Sequence, residues 1–339
     1  MPQVIKKLIG LISLTFLFLM LPSTLFSQGS NYNGPYETSP PLVYTDQKNI
    51  VIEGLEFTNT DSIVSDGRCI TLTNCENVII RNCKFKNVPL NAAIYANGSS
   101  NITVTNCVFE NVQAGLRGHK CEGGIKFENN DLKNIVGDLS GGSRFSQAVQ
   151  FDKCNGPDNS ISYNVIENIP GESSPEDVIN IFHSNGTAES PIIIRGNWIR
   201  GGGPSGSGGG ILIGDWGGSY QIIENNILVD PGQYGLQIAG GHNMTIRNNK
   251  VYGRQQPFSN VGLVIVNWTS KQTGPSYNIT VENNRINWTN RDGVFNTAWF
   301  AGNMQEVVSD SQKEVIRDPS ITQNILPEVI LNSTEMDTP

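Results

Sequence analysis

Four short segments of the chain end alternating apolar residues in acids and bases. They are "GLRGHK" (Gly115 to Lys120), "AVQFDK" (Ala148 to Lys153), "EDVINIFH" (Glu176 to His183) and "GILIGD" (Gly210 to Asp215). Two chemistries fit this inventory. β-Elimination on a uronate sugar needs a cation to neutralise the carboxylate, a base for the C5 proton and an acid for the leaving oxygen. Lys, Arg and His suit these roles, with basicity set by neighbouring charge, and a C5-epimerase needs nearly the same set. Glycoside hydrolysis instead needs two carboxyl groups, about 5 Å apart for retention or 6.5 to 9.5 Å for inversion. The expected catalytic residues are Lys153, His183, Arg117, Asp177 and Asp152. The expected substrate contacts are His119, Lys120, Gln150, Asn180, Asp215, Trp216 and Gln237. Elimination is the leading expectation. A hydrolase built on Asp152, Asp177 and Asp215, and a glycan-binding protein without catalysis, are the alternatives. The bland roles are equally concrete: Asp177 caps the turn before a strand, Glu176 is solvated, and His183 and His242 are turn residues.

These segments belong to a repeat. Eight phrases of the kind "CITLTN", "AIYANG", "AVQFDK" and "GLQIAG" place apolar residues second and fourth, so the third and fifth face the other way by the period of two. Each is followed by a phrase such as "NVIIRNCKF" or "NMTIRNNKV", in which a polar pair rich in Asn interrupts two apolar alternations. The period is roughly 22 to 33 residues. Two short strands per repeat with Gly- and Asn-rich turns describe one coil of a parallel β-helix, a single all-β solenoid of about eight to ten coils. Asn130, Asn164, Asn197, Asn226, Asn249 and Asn284 then fall at one place in successive coils, where side-chain amides can stack as a ladder.

Stacking the first phrases gives an outward column of Thr71, Tyr95, Arg117, Gln150, Asn180, Leu212, Gln237 and Val264. A corner column carries Lys120, Lys153, His183 and Asp215. Ionisable residues concentrate between Arg117 and Asp215. The insertions "GDLSGGSRFS", "PGESSPE" and "GGGPSGSGG" are expected beside them, after the second strand, as the wall of a groove. Trp216 and Tyr220 offer an aromatic platform. Cys83 with Cys107 and Cys121 with Cys154 share columns. Strands about 4.8 Å apart fall within the roughly 4.4 to 6.8 Å span of a disulfide, and stacked buried thiols fit as well.

Lys6 and Lys7, the apolar block Leu8 to Leu21 and the polar residues at Ser27 and Gln28 have the layout of a secretory signal peptide over residues 1–27. Such a leader implies a secreted, periplasmic or cell-surface protein without a membrane span in the mature chain. An uncleaved anchor is the alternative. The coil region is expected over 28–302, with a cap or tail over 303–339 and a monomeric state. The net charge of −8 argues against nucleic acid as a partner. No Cys/His spacing suggests zinc. Calcium stays open as a cofactor, since acids beside turn carbonyls suit it, although no Asp-rich loop marks a site.

On these repeated phrases, from about Ile50 to Phe300, the chain resembles the secreted right-handed parallel β-helix proteins of the pectate-lyase-like superfamily. The resemblance implies that fold and a polysaccharide or oligosaccharide partner, and leaves lyase, epimerase, hydrolase and binding roles open. "EDVINI" also resembles the Asp-Asp-x-Ile-x-Ile segment of polygalacturonase-type hydrolases, which implies a catalytic role for Asp177. "GGGILIG" resembles their Gly-His-Gly-Ile-x-Ile-Gly segment with Gly209 in the histidine position. Their Asn-Thr-Asp and Arg-Ile-Lys segments have no counterpart.

Overall fold

The computed structural model describes residues 29–58, 66–140, 145–301 and 315–331. The expected leader lies outside them. Among the described residues no helix is long and apolar enough to cross a membrane.

Each coil has three strands rather than two. The Asn pair is the reason: its first member takes a left-handed backbone, with φ between 52° and 57° at Asn82, Asn106, Asn129, Asn225, Asn248 and Asn283, a conformation Asn tolerates well. The chain therefore turns a corner within a phrase that reads as one alternating run, so Glu76–Arg81 and the start of Lys84–Asn97 lie on different sheets. The second member points inward and is fully buried. Asn130, Asn164, Asn197, Asn226, Asn249 and Asn284 are linked Nδ2 to Oδ1 in five steps of 2.9–3.1 Å. Each Oδ1 also accepts the backbone N–H of the matching residue one coil earlier, Cys107 for Asn130 at 2.9 Å and an Asn for the rest, as Asn197 does from Asn164 at 3.1 Å. Polar groups that would be costly to bury are thus paired.

Three parallel sheets result. The first begins at Leu42–Thr45 and Ile70–Thr73 and ends at Val261–Ile265 and Ala298–Phe300, so ten coils present a first-sheet strand among the described residues. Thr71, Tyr95, Arg117, Gln150, Asn180, Leu212, Gln237 and Val264 pair in that order across it, as the alternation predicts, and Trp299 follows. The inward residues fill one continuous core. It includes a pile of Phe57, Phe85 and Phe109 with ring centroids 5.2 and 4.7 Å apart. The six cysteines are free and buried in it, which corresponds to the stacked-thiol alternative.

The three insertions follow third-sheet strands, Asp131–Ile135, Val165–Glu167 and Trp198–Arg200, and lead into the first sheet. They rise at the first sheet's edge as expected, one strand later in the coil. Both ends of the described residues lie along the third sheet. At one end, Gly29 N donates to Tyr163 O at 2.9 Å and Glu37–Thr38 pairs with Leu55–Thr58. At the other, Val315–Arg317 pairs with Asn284–Trp288, and the chain then returns along the sheet. Asn287 donates to Ile321 O at 2.8 Å, Arg200 to Gln323 O at 2.6 Å, and Ile330 N to Glu167 at 3.1 Å. Leu331 ends against Val108 and Val165. The expected cap is, over residues 315–331, a strap on the third sheet.

Candidate functional site

The outward face of the first sheet carries a hydrogen-bonded cluster of acids and amides. Asp177 stands just ahead of the strand Ile179–Asn185. Its Oδ1 accepts Gly209 N at 3.1 Å and the Tyr234 hydroxyl, and its Oδ2 accepts Asn180 Nδ2 at 3.1 Å. The same Asn180 nitrogen donates to Asp215 Oδ2 at 3.0 Å, while Gln150 Nε2 donates to Asn180 Oδ1 at 3.3 Å. One amide therefore clamps two carboxyls. Burial drives the Asp177 carboxyl up to about 7 in spite of its three donors. Burial also raises Asp215, against the hydrogen bonds from Asn180 and Trp216.

Asp215 departs from its expected place. The register slips between Asn180 and Phe182, and Asp215 lies opposite Phe182 rather than in the corner column with His183. Gly214, at φ 68°, supplies the extra residue of the bulge. This slip puts Asp215 in one outward column with Phe182, Asp152 and His119. Asp152 is two inter-strand steps away, roughly 9.6 Å at the usual spacing.

Asp152 is the electrostatic opposite of Asp215. Burial would raise its carboxyl, yet Arg117 Nη2 at 2.7 Å and His119 Nδ1 at 3.0 Å, both on Oδ2, hold it below the ordinary carboxylate value. Its Oδ1 is buried without a protein partner, as are the Oε1 atoms of Gln147 and Gln150 and the Nε of Arg117. Buried polar atoms in native structures are nearly always satisfied. Phe145, from the first insertion, packs against this group: its carbonyl accepts Gln113 Nε2, and its ring lies 4.4 Å from the Arg117 guanidinium.

The structure thus joins Arg117, His119, Gln150, Asp152, Asp177, Asn180 and Asp215. It does not join the rest. Lys120, Lys153 and His183 have φ of 51°, 58° and 46°, the left-handed corner that Asn74 and Gly98 occupy in earlier coils. Their side chains are exposed at the rim, outside the network of Asp177 and Asp215. The alternation that orients a strand residue stops at such a corner, which is why sequence position misplaced Lys153 and His183. His183 and the 45%-exposed Trp216 line a recess of about 390 Å³ with His242 and Thr273. Tyr220 faces His242, which stacks on Tyr277 at 4.6 Å, so it supplies no groove platform. Gln237 is buried between Leu212 and Val264 in the register. Glu176 accepts Ser207 Oγ at the loop wall. Tyr234, Gln147 and Phe145 were not singled out by the sequence. The signal for the first two was their shared place with Asp177, one residue before the repeated phrase begins. Among the described residues no three His, Cys, Asp or Glu side chains converge on a metal site.

A family model described as a right handed beta helix region matches residues 29–155 and 148–314. The chain belongs to this β-helix family. No curated protein matches it by sequence. Among solved structures, this β-helix is similar to the catalytic domain of a GH87 alpha-1,3-glucanase in complex with tetrasaccharides. That match has 12% identity and a TM-score of 0.44, covering 78% of this chain and 49% of that one. A mutant tailspike protein of E. coli bacteriophage HK620 in complex with pentasaccharide matches at 13% identity and a TM-score of 0.41, covering 80% and 57%. The β-helix chain spans about half the length of that glucanase structure, and the likeness is one of fold.

Proposed function

We propose that this β-helix hydrolyses glycosidic bonds in the first-sheet groove, with Asp215 as general acid and Asp152 as general base. One observation carries the proposal: two carboxyls share an outward column two strands apart and are pushed in opposite directions. Such divergence assigns acid and base roles. Their strands stand roughly 9.6 Å apart, just beyond the about 6.5 to 9.5 Å between inverting carboxyls and far from the about 5 Å between retaining ones. Asp215, protonated, gives its proton to the glycosidic oxygen. Asp152 takes a proton from a water that attacks the anomeric carbon from the opposite face, and the anomer inverts. Arg117 and His119 keep Asp152 ionised. Asp177 is a positioning residue, holding Asn180 so that its amide meets Asp215.

Elimination draws less support, because Lys153 and His183 stand at the rim and Arg117 and His119 are engaged by Asp152. Export through the leader over residues 1–27 belongs to the same reading, with a structural or surface glycan outside the cell as the substrate. The test is a panel of neutral glucans, pectate, alginate and glycosaminoglycans, followed by reducing-end release and by absorbance at 235 nm. Hydrolysis gives new ends without absorbance and an inverted anomer by NMR. Absorbance growing with the ends returns the assignment to a lyase, and no new ends on any member sinks the enzymatic reading for those substrates.

A further inference from the structure

The outward face changes character beyond Asp215. In the three coils after it, the outward columns carry Tyr234, Gln237, Ala239, Val261, Val264, Val266, Trp299 and Ala301, with no acid or base among them. Leu212, Tyr234, Ala239, Val261, Val264 and Val266 form a cluster separate from the inner core. On this floor stand two of the five tryptophans, Trp268 at 63% exposure and Trp299 at 44%, with ring centroids 6.1 Å apart. Trp268 leads into a wall segment braced by Asn267, whose Nδ2 donates to Gly274 O and Ser276 Oγ at 2.9 and 3.0 Å. Trp299 is three strands past Asp215, roughly 14 Å at the usual spacing.

Two indoles held open to solvent cost hydrophobic free energy unless something covers them, and exposed apolar patches of this kind mark binding surfaces. The occupant must be continuous with a chain crossing Asp152 and Asp215, have an apolar side, and bring no charge to these columns, because among the described residues they hold no acid or base to meet it. A pyranose ring has such a side, edged by its axial C–H groups, and Trp presents a large rigid partner with little entropy to lose. We infer that Trp268 and Trp299 form a platform for uncharged sugar units on one side of the scissile bond, so that the substrate is a neutral glycan bound over several units. This deepens the hydrolase reading and rests on it.

The full chain and its Trp268→Ala and Trp299→Ala variants are titrated by calorimetry with neutral glucose hexasaccharides of several linkages and with hexagalacturonate. Steady-state kinetics on a hexasaccharide and on its aryl disaccharide accompany the titrations. Both indoles are exposed, and circular dichroism checks that the variants fold. The expected result is binding of a neutral hexasaccharide that weakens about tenfold or more in each variant, with KM raised on the hexasaccharide and kcat on the disaccharide unchanged. Tighter binding of hexagalacturonate, unchanged affinity in both variants, or no binding by any probe overturns the platform. Asp152→Asn and Asp215→Asn separate the two readings. Binding retained with turnover lost supports both, and turnover retained in these variants removes the hydrolase assignment while leaving the platform to be judged on affinity alone.

Discussion

At the scale of single residues, the two carboxyls of the proposed hydrolysis predict a pH profile. Asp152 is depressed and must be ionised, whereas Asp215 is raised and must be protonated. Turnover should therefore follow a bell in the acidic range, falling on the acid side as Asp152 protonates and on the alkaline side as Asp215 ionises. Asp215→Asn and Asp152→Asn should each lower kcat by about 10²- to 10⁴-fold, and Asp215→Asn should erase the alkaline limb for leaving groups that need no protonation. Asp177 predicts stability instead. Its folded value of about 7 lies above the roughly 3.9 of an unfolded Asp. Stability from this group is thus whole below about pH 4 and is lost as pH rises through 7. Thermal melts from pH 4 to 8 should slope downward in the native protein and flatten in Asp177→Asn. An unchanged slope would assign the burial cost elsewhere. Of this site, Gln150, Asn180, Asp152 and Arg117 were legible, because strict alternation orients a strand residue. Asp215 was displaced by the extra Gly214, and the Tyr234 hydroxyl reaches Asp177 across two coils in a way no local spacing encodes.

At the scale of the element, the Asn ladder both makes the corner and fixes the register. Replacing Asn197 with Ala removes its Nδ2 bonds to Asn226 and Ile161 O and leaves Asn164 N and Nδ2 short of an acceptor. At about 1 to 3 kcal/mol per buried group left unsatisfied, the loss should reach about 3 kcal/mol. It is read from urea unfolding of native and Asn197→Ala proteins side by side; a shift near zero would mean that the stack takes in water without cost. The ladder was legible as a column of Asn in the repeat. The third strand was not, since a corner turned by one left-handed Asn leaves the apolar alternation unbroken on either side. The Lys120, Lys153 and His183 column failed for a related reason: each takes the left-handed backbone of a corner, where alternation no longer orients the side chain.

At the scale of the whole molecule, coils contact chiefly their neighbours, and repetition made the architecture readable from one chain. What repetition conceals is what happens once: the bulge at Gly214, the insertion bearing Phe145, the segment bearing Trp268, and the paths of the two ends. Those ends give the molecule a back. Gly29 and Leu331 both reach Val165, from opposite directions, on the third sheet, while the acids and indoles occupy the first. A bead or surface coupled at Gly29 or at Leu331 therefore grips the same midpoint of the rod and leaves the face with the acids and indoles turned outward along its whole length.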